Sequence, residues 1–151
     1  MAKTIGYMIT WTTYGTWLQG DNRGYVKNGE IYPANPSLEK SNRQKLIKNP
    51  IKLSKNHRET VKQAIYEKAN RINQEIHALA VRSNHIHIVV DYIQMPIGLV
   101  VMGYKNCAQY ALRQAGVTGR VWTKGFDKRY CFDQQSLKKK IDYVNSHNKY
   151  I

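Results

Sequence analysis

Two histidines, His85 and His87, stand one residue apart in the aliphatic segment SNHIHIVVD, residues 83–91. Successive side chains of a β-strand point to opposite faces, so both imidazoles lie on one face if this segment is a strand. Their Cβ atoms are then roughly 6–7 Å apart, and two ring nitrogens can reach one cation. On a helix the same spacing turns the two side chains about 200° apart. The motif therefore predicts a metal site only on a strand.

The simpler explanation of a His-x-His pair is two half-exposed polar residues on an open sheet face. That explanation is the commoner one for an arbitrary pair, because a divalent ion in a protein needs at least a third ligand. The C-terminal segment SLKKKIDYVNSHNKY, residues 136–150, supplies candidates for that ligand.

This segment predicts an amphipathic helix. Its inward stripe consists of Leu137, Ile141, Val144 and Asn148. Tyr143 and His147, four residues apart, lie within about 40° of each other and off the stripe. Lys139 and Lys140 lie one turn earlier, also off the stripe. A solvated helix with an incidental tyrosine is the alternative, since the chain has 11 tyrosines.

Together, the histidine strand, the Tyr/His helix and a strongly basic chain fit one reaction. A divalent metal held by imidazoles polarises a phosphodiester, and a tyrosine hydroxyl attacks the phosphorus. Because the usual pKa of tyrosine is about 10, metal charge or neighbouring lysines must favour the phenolate. The products are a phosphotyrosine linkage and a free 3′-hydroxyl, from which the broken strand can be rejoined elsewhere.

The charge of the chain points to a polyanionic partner. Its 151 residues include 24 Lys+Arg against 10 Asp+Glu, a formal net charge of +14. Nucleic acid is the first candidate partner and an anionic membrane the second. No apolar run approaches the roughly 18 residues of a membrane span, and residues 1–11 lack the apolar stretch of a signal peptide. Cys107 and Cys131 fit no zinc pattern, so we expect a cytoplasmic protein with reduced thiols.

Hydrophobic periodicity predicts the order of the elements. Strands are expected at 4–12, 75–82, 85–91 and 120–132, and a short hairpin near 24–32 within a long Gly/Pro-rich loop. Helices are expected at 57–73, from Pro96 to Gly116 and after Asp133, with Pro96 in the first turn of its helix and Asp133 as the N-cap of the last one. This order matches the split βαβ pattern. We predict one domain over residues 1–151 with an α+β, ferredoxin-like antiparallel sheet, helices on one face and an extra C-terminal helix carrying the tyrosine. That fold hosts many functions and does not decide among them.

Three segments in this order resemble the small single-tyrosine HUH transposases, insertion-sequence enzymes that include the REP-associated tyrosine transposases. NHIHIVV (84–90) matches the His-hydrophobic-His motif, and WTTYGTWLQGDNRGYV (11–26) looks like the N-terminal signature of one branch. VWTKGFDKRYCFDQQSLKKKIDYVNSHN (121–148) is similar to the closing strand and the tyrosine helix. The resemblance implies a DNA transposase that nicks and rejoins single-stranded DNA through a 5′-phosphotyrosine intermediate.

The resemblance also implies roles for individual residues. His85 and His87 are expected to be metal ligands and Tyr143 the nucleophile. The family commonly has Gln or Asn four residues after the nucleophile as the third ligand; here that residue is His147, a departure that affects the preferred metal more than the mechanism. The implied ion is Mg²⁺ or Mn²⁺, and the implied partner is single-stranded DNA with hairpins near element ends. Members act as dimers or as monomers, so a homodimer stays open.

Residues that contact the DNA can be predicted only from their type and position. The predicted contacts are Tyr14, Trp17, Arg23, Lys124, Lys128, Arg129, Lys139 and Lys140. For Tyr14 and Trp17, stacking on bases and packing in the core are equally favoured. Trp11 is predicted to be a core residue, because it is in phase with Ile9 on the first strand.

Two other functions stay open at this point. A ferredoxin-like module could bind single-stranded nucleic acid without forming a covalent bond, although imidazoles occupy the strand where an RNA-recognition domain carries stacking aromatics. A replication initiator or relaxase would use the same tyrosine chemistry. Such proteins are usually larger or carry helicase or mobilisation segments, and none is recognised in these 151 residues.

Overall fold

The computed structural model describes residues 3–16, 25–27, 30–32 and 51–148. The elements, in chain order, are β1 (Gly6–Thr12), β2 (Tyr25–Lys27), β3 (Glu30–Tyr32), α1 (Lys55–Arg71), β4 (Ile76–Val81), β5 (His85–Asp91), α2 (Ile97–Gln114), β6 (Asp127–Cys131) and α3 (Gln134–His147). No helix within these described residues combines the length and hydropathy needed to cross a bilayer.

Four strands form one antiparallel sheet in the order β4-β5-β1-β6, and β2 and β3 form a separate hairpin. The first strand of the chain lies in the middle of the large sheet, paired with β5 on one side and β6 on the other. This order is that of the split βαβ pattern. The predicted α+β, ferredoxin-like fold is confirmed, and so is the short hairpin near residues 24–32.

The two faces of the sheet bury different helices. Ile9 and Trp11 of β1 and Ile88 of β5 are almost fully buried in one core with apolar residues of α1 and α2. The intervening side chains, such as Met8 and Val89, lie in a second core on the opposite face. There they pack against α3, whose buried members are Leu137 and Val144. The alternation of β1 and β5 therefore lets one sheet support α1 and α2 on one side and the C-terminal helix on the other.

Local signals set most element boundaries. Asp133 is the N-cap of α3, as predicted, and its Oδ1 accepts a hydrogen bond of 2.7 Å from the backbone N–H of Ser136. Pro96 occupies the N-cap of α2 instead of its first helical turn and makes no side-chain cap bond.

The predicted strand at 120–132 is shorter in the structure, where β6 covers only its last part. The half-buried Nζ of Lys105 donates hydrogen bonds of 2.9 Å to the carbonyls of Thr123 and Gly125. These carbonyls are thereby turned toward a helix, and Gly125 adopts a φ of 91°, which strands do not use. The segment before β6 is held as a loop for this reason, with one isolated bridge between Thr13 and Trp122.

Candidate active site

The histidine pair lies on strand β5, with both rings on the sheet face that α3 covers. The ring centroids of His85 and His87 are 4.8 Å apart. His85 is half-buried, and the side chain of His87 is buried with 8% of its surface exposed. The strand that the motif required is therefore present. Ile86, between the two histidines, points to the opposite face and is fully buried in the core there.

Helix α3 brings Tyr143 and His147 to the same place. The ring centroid of His87 is 5.5 Å from that of Tyr143 and 4.6 Å from that of His147. Tyr143 and His147 are themselves 4.6 Å apart, one helical turn from each other. His85 completes the group at 6.1 Å from His147. The tyrosine that the sequence placed off the apolar stripe faces the histidine pair within a single chain.

Contacts at both ends of α3 fix this arrangement. At its C-terminus, Arg82 Nη1 donates to the His147 carbonyl at 2.9 Å and Asn148 Nδ2 donates to the Leu79 carbonyl at 3.2 Å. Arginine near a helix C-terminus satisfies carbonyls that have no partner within the helix. At the N-terminal end the helix approaches Gly6 closely, since a Cβ there would lie 3.1 Å from Leu137 Cδ1.

Each imidazole has its Nδ1 engaged by another group. His85 Nδ1 lies 2.8 Å from Asn84 Oδ1, His87 Nδ1 lies 2.7 Å from Thr10 Oγ1, and His147 Nδ1 lies 2.9 Å from the Tyr143 carbonyl. A carbonyl oxygen can only accept, so Nδ1 of His147 carries the proton and Nε2 keeps its lone pair. Hydrogen bonds of this kind orient metal-binding histidines in many proteins.

The three histidines present one ring nitrogen each, and these nitrogens lie within 4.8 Å of one another. Neutral imidazole nitrogens are good ligands for divalent transition metals. The donor set therefore fits a divalent cation, with His85, His87 and His147 as the residues that would hold it.

Burial and neighbouring positive groups lower the pKa values of His85 and His87. Burial is the largest cause that lowers the pKa of His87, to about 4, and the neighbouring His85, His147 and Arg82 lower it further, while Asp127 opposes the shift. The pKa of His85 is also lowered, first by burial and then by Arg82 and His147. Because a metal ligand must be deprotonated, these shifts keep imidazole lone pairs available below neutral pH.

An open cleft of about 510 Å³ adjoins Tyr143 and His87. Its lining residues are Met8, Thr10, His87, Asp127, Arg129, Lys139, Lys140 and Tyr143. Three of these are cations and one is an anion, so the cleft carries a positive balance beside the tyrosine. A phosphodiester is the kind of group that such a cleft favours.

The predicted DNA contacts fall into three groups. Arg129, Lys139 and Lys140 line the cleft with Tyr143. The other described ones lie elsewhere: Lys128 is near the Tyr130 ring, Lys124 lines a separate cleft of about 390 Å³, and Tyr14 lies under the guanidinium of Arg120 at 4.6 Å. Trp17 and Arg23 lie outside the described residues. Trp11 is a core residue, as predicted.

Sequence reasoning missed the residues that orient the histidines. Thr10 is paired with His87 across β1 and β5, and this register is set only when the sheet forms. Arg82 follows β4 and is far from α3 in sequence, and Asp127 lies on β6, which is far in sequence from the histidine strand. Of these partners, Asn84 could have been predicted from the sequence, because it directly precedes His85 at the tight turn between β4 and β5.

Two solved structures align with this chain, and the first of them shows similarity of fold. A REP-associated tyrosine transposase bound to a REP hairpin aligns with a TM-score of 0.55 and 9% sequence identity, over 95% of this chain and 67% of that chain. A candidate transposase from Deinococcus radiodurans R1 aligns with a TM-score of 0.49 and 13% identity, over 97% of this chain and 93% of that chain.

Comparison with curated protein sequences gave no match. The profile of the family described as "Transposase IS200 like", however, matches residues 41–151, which include the histidine strand and the tyrosine helix. The resemblance inferred from the sequence is thereby confirmed, and the chain belongs to the IS200-like transposase family.

Proposed function

We propose that the protein nicks and rejoins single-stranded DNA, with Tyr143 as the nucleophile and His85, His87 and His147 as ligands of a divalent metal. The observation that carries this proposal is the convergence of one phenol and three imidazoles on one cleft within one chain. No hydrophobic requirement accounts for that convergence, because the apolar side of α3 is supplied by other residues.

In the proposed reaction, Tyr143 Oη forms a bond to phosphorus and the bond between phosphorus and the 3′-oxygen breaks. The phenol loses a proton and the departing 3′-oxygen gains one, so a 5′-phosphotyrosine and a free 3′-hydroxyl result. A divalent ion bound to the histidines supplies polarisation of the phosphodiester and offsets the charge that builds on its non-bridging oxygens.

The cations of the cleft have two roles in this proposal. Lys139 and Lys140 lie one turn before Tyr143, where positive charge favours the phenolate over the phenol. Together with Arg129 they also bind the phosphates on either side of the reacting one. Tyr143 is 43% exposed, so a DNA strand can reach its hydroxyl.

The ion is proposed to be Mg²⁺ or Mn²⁺, and the donor set favours Mn²⁺. Mg²⁺ binds proteins mainly through carboxylates and retained waters. The three side chains here are imidazoles, which suit transition metals better. Gln or Asn in place of His147 would contribute an oxygen ligand, so the preference for Mn²⁺ over Mg²⁺ depends on His147.

The proposed substrate is single-stranded DNA that forms hairpins near element ends. The excess of 14 positive charges supports a nucleic-acid partner, and a protein of similar fold has been solved bound to a REP hairpin. All four side chains of the site come from one chain. A homodimer, if it forms, is therefore not needed to complete the site.

A denaturing gel tests the proposal. Incubation with a labelled single-stranded hairpin oligonucleotide and Mn²⁺ is expected to give a covalent protein–DNA band. Tyr143→Phe removes only the hydroxyl and should abolish the band, whereas Tyr66→Phe, on the exposed side of α1, should leave it unchanged. Retarded complexes in a native gel without any covalent band would instead favour the non-catalytic binding module.

A further inference from the structure

Strand β6 lies at the edge of the sheet, and among the described residues only its β1 side is paired within that sheet. Its side chains alternate between the two faces. Asp127 and Arg129 line the cleft beside Tyr143. Lys128 and Tyr130 point to the opposite face, where the Tyr130 ring meets the ring of Tyr7 edge-on at 6.2 Å. A strand of DNA that leaves the cleft over this edge would therefore meet a second set of side chains.

That second set is an aromatic pair with a cation beside it, here named the edge platform: Lys128, Tyr130 and Phe132. The rings of Tyr130 and Phe132 are 6.4 Å apart and inclined by only 30°. Lys128 Nζ lies 5.7 Å from the Tyr130 ring centroid. Both aromatics are solvent-exposed, Tyr130 by 42% and Phe132 by 50%.

The platform is held from beneath by a buried tyrosine. Tyr7 is 2% exposed, and Gln74 Nε2 donates to its hydroxyl at 3.4 Å. Tyr104 in turn donates to Gln74 Oε1 at 2.5 Å. Because Tyr7 is locked in this way, Tyr130 rests on a rigid ring. A preorganised aromatic loses little conformational freedom when it binds a flat partner.

A cleft of about 360 Å³ opens between this platform and the start of α2. Its lining residues are Tyr7, Tyr92, Gln94, Met95, Pro96, Ile97 and Tyr130. Exposed aromatics on an edge strand favour pairing with other chains, and proteins usually keep such edges short or charged. An exposed aromatic pair at an edge, next to a cation, has the chemistry to bind a ligand with a flat face and a negative charge.

We infer that the edge platform binds single-stranded DNA by stacking bases on Tyr130 and Phe132, outside the reacting phosphodiester. Lys128 contacts a phosphate of the same segment, and Arg129 continues the path into the cleft on the other face. Bases of any sequence stack on aromatic side chains, so the platform holds the strand without reading its sequence. This inference rests on the proposed function, since it assumes that single-stranded DNA enters the cleft.

The test is binding of a short oligothymidylate that carries one 2-aminopurine, in EDTA so that no cleavage occurs. The wild-type protein should quench the 2-aminopurine fluorescence through stacking. Tyr130→Ala and Phe132→Ala should each weaken binding on the order of tenfold and restore the fluorescence. Tyr130→Trp should retain both the binding strength and the quenching. Tyr130→Leu, which keeps an apolar side chain against Tyr7, should behave like Tyr130→Ala.

The salt dependence separates stacking from charge. The slope of log Kd against log salt should be unchanged in Tyr130→Ala and should fall by about one in Lys128→Ala. Tyr66→Ala, at a tyrosine of similar exposure on α1, is the matched control and should bind like the wild type.

Two results would overturn the inference. One is equal binding by Tyr130→Ala and Tyr66→Ala. The other is a dimer, seen by sedimentation, that dissociates in Tyr130→Ala, because the platform would then be a contact between copies of the chain. The covalent band in the denaturing gel reports on the proposed catalysis, whereas the fluorescence in EDTA reports on stacking, so a failure of one can be distinguished from a failure of the other.

Discussion

Strand β5 carries two clusters of side chains that could hold a metal, one near each end. His85 and His87 begin the strand and meet His147. Asp91 ends it and meets Glu75 and His77. In both clusters one ligand atom from each residue lies within 4.8 Å of the other two. By distance alone the two sites are equivalent.

Their hydrogen bonds make them different. In the histidine cluster each Nδ1 is bonded to Asn84, Thr10 or a backbone carbonyl, and each ring keeps its second nitrogen for another partner. In the other cluster His77 Nε2 is already bonded to Asp91 Oδ1 at 2.5 Å. Two of the three candidate ligands in this cluster are therefore bonded to each other, whereas the histidines are held by groups outside their own set. The comparison teaches that two clusters with equal distances can differ in what holds their ligands, and we expect the histidine cluster to be the one that binds the metal.

The largest expected effect comes from exchanging one imidazole in each cluster. His87→Asn should abolish the covalent DNA band and weaken Mn²⁺ binding, measured by titration calorimetry, by about a hundredfold or more, since it removes a ligand as well as its orientation. His77→Asn is the matched change at the other end of the strand and should alter neither. Equal losses in the two variants would show that the comparison is mistaken.

A smaller effect is expected from His147→Gln, which tests the preference of the histidine cluster for one metal ion over another. Replacing a nitrogen ligand by an amide oxygen should reduce the preference for Mn²⁺ over Mg²⁺ by about tenfold, because imidazole suits transition metals and oxygen suits Mg²⁺. The ratio of the two dissociation constants measures this preference independently of catalysis. An unchanged ratio would mean that His147 is not a ligand.

One contribution to the pH dependence of stability should come from His87. Burial lowers the pKa of His87 from 6.5 to about 4, so between these values the unfolded chain holds more protons than the folded one. The free energy of unfolding contributed by this residue is therefore complete above about pH 7 and falls as the pH drops from 6.5 toward 4. Urea denaturation of metal-free protein should show this fall, and His87→Asn should reduce it.

The smallest effect is expected at the other cluster. Asp91→Asn weakens a partly exposed pair with His77, and the free energy of unfolding should drop by about 1 kcal/mol or less. Mn²⁺ affinity should stay at the wild-type value in the same protein. A stability loss accompanied by a loss of Mn²⁺ binding would make this second cluster a metal site after all.

Much of the fold could be read from periodicity. The segment 85–91 was predicted to the residue, because the alternation of imidazoles with Ile86 and Ile88 suits only a strand. The last helix was predicted from its N-cap Asp133 and its apolar stripe. The strand before it was overestimated, since the bonds from Lys105 that hold Thr123 and Gly125 in a loop depend on a helix far away in sequence.

The candidate site was predictable in its chemistry but only partly in its composition. Tyr143 and His147 share a helix flank and His85 and His87 share a strand face, and both statements follow from local geometry. Thr10, Arg82 and Asp127 were missed, since each reaches the site through strand register or packing between distant segments. Lys124 and Lys128, which are near the tyrosine helix in sequence, lie outside the cleft for the same reason.

The sequence by itself determined the hydrophobic periodicity of the strands and helices, the charge of +14, and the histidine and tyrosine motifs that match a transposase. These depend on spacing along the chain, which the backbone of a strand or helix converts directly into a shared face. Only the tertiary structure decided that α3 covers the histidine face, that Arg82 holds the helix end there, and that His77 and Asp91 satisfy each other. Such contacts join residues far apart in sequence, and the packing of the whole sheet sets them.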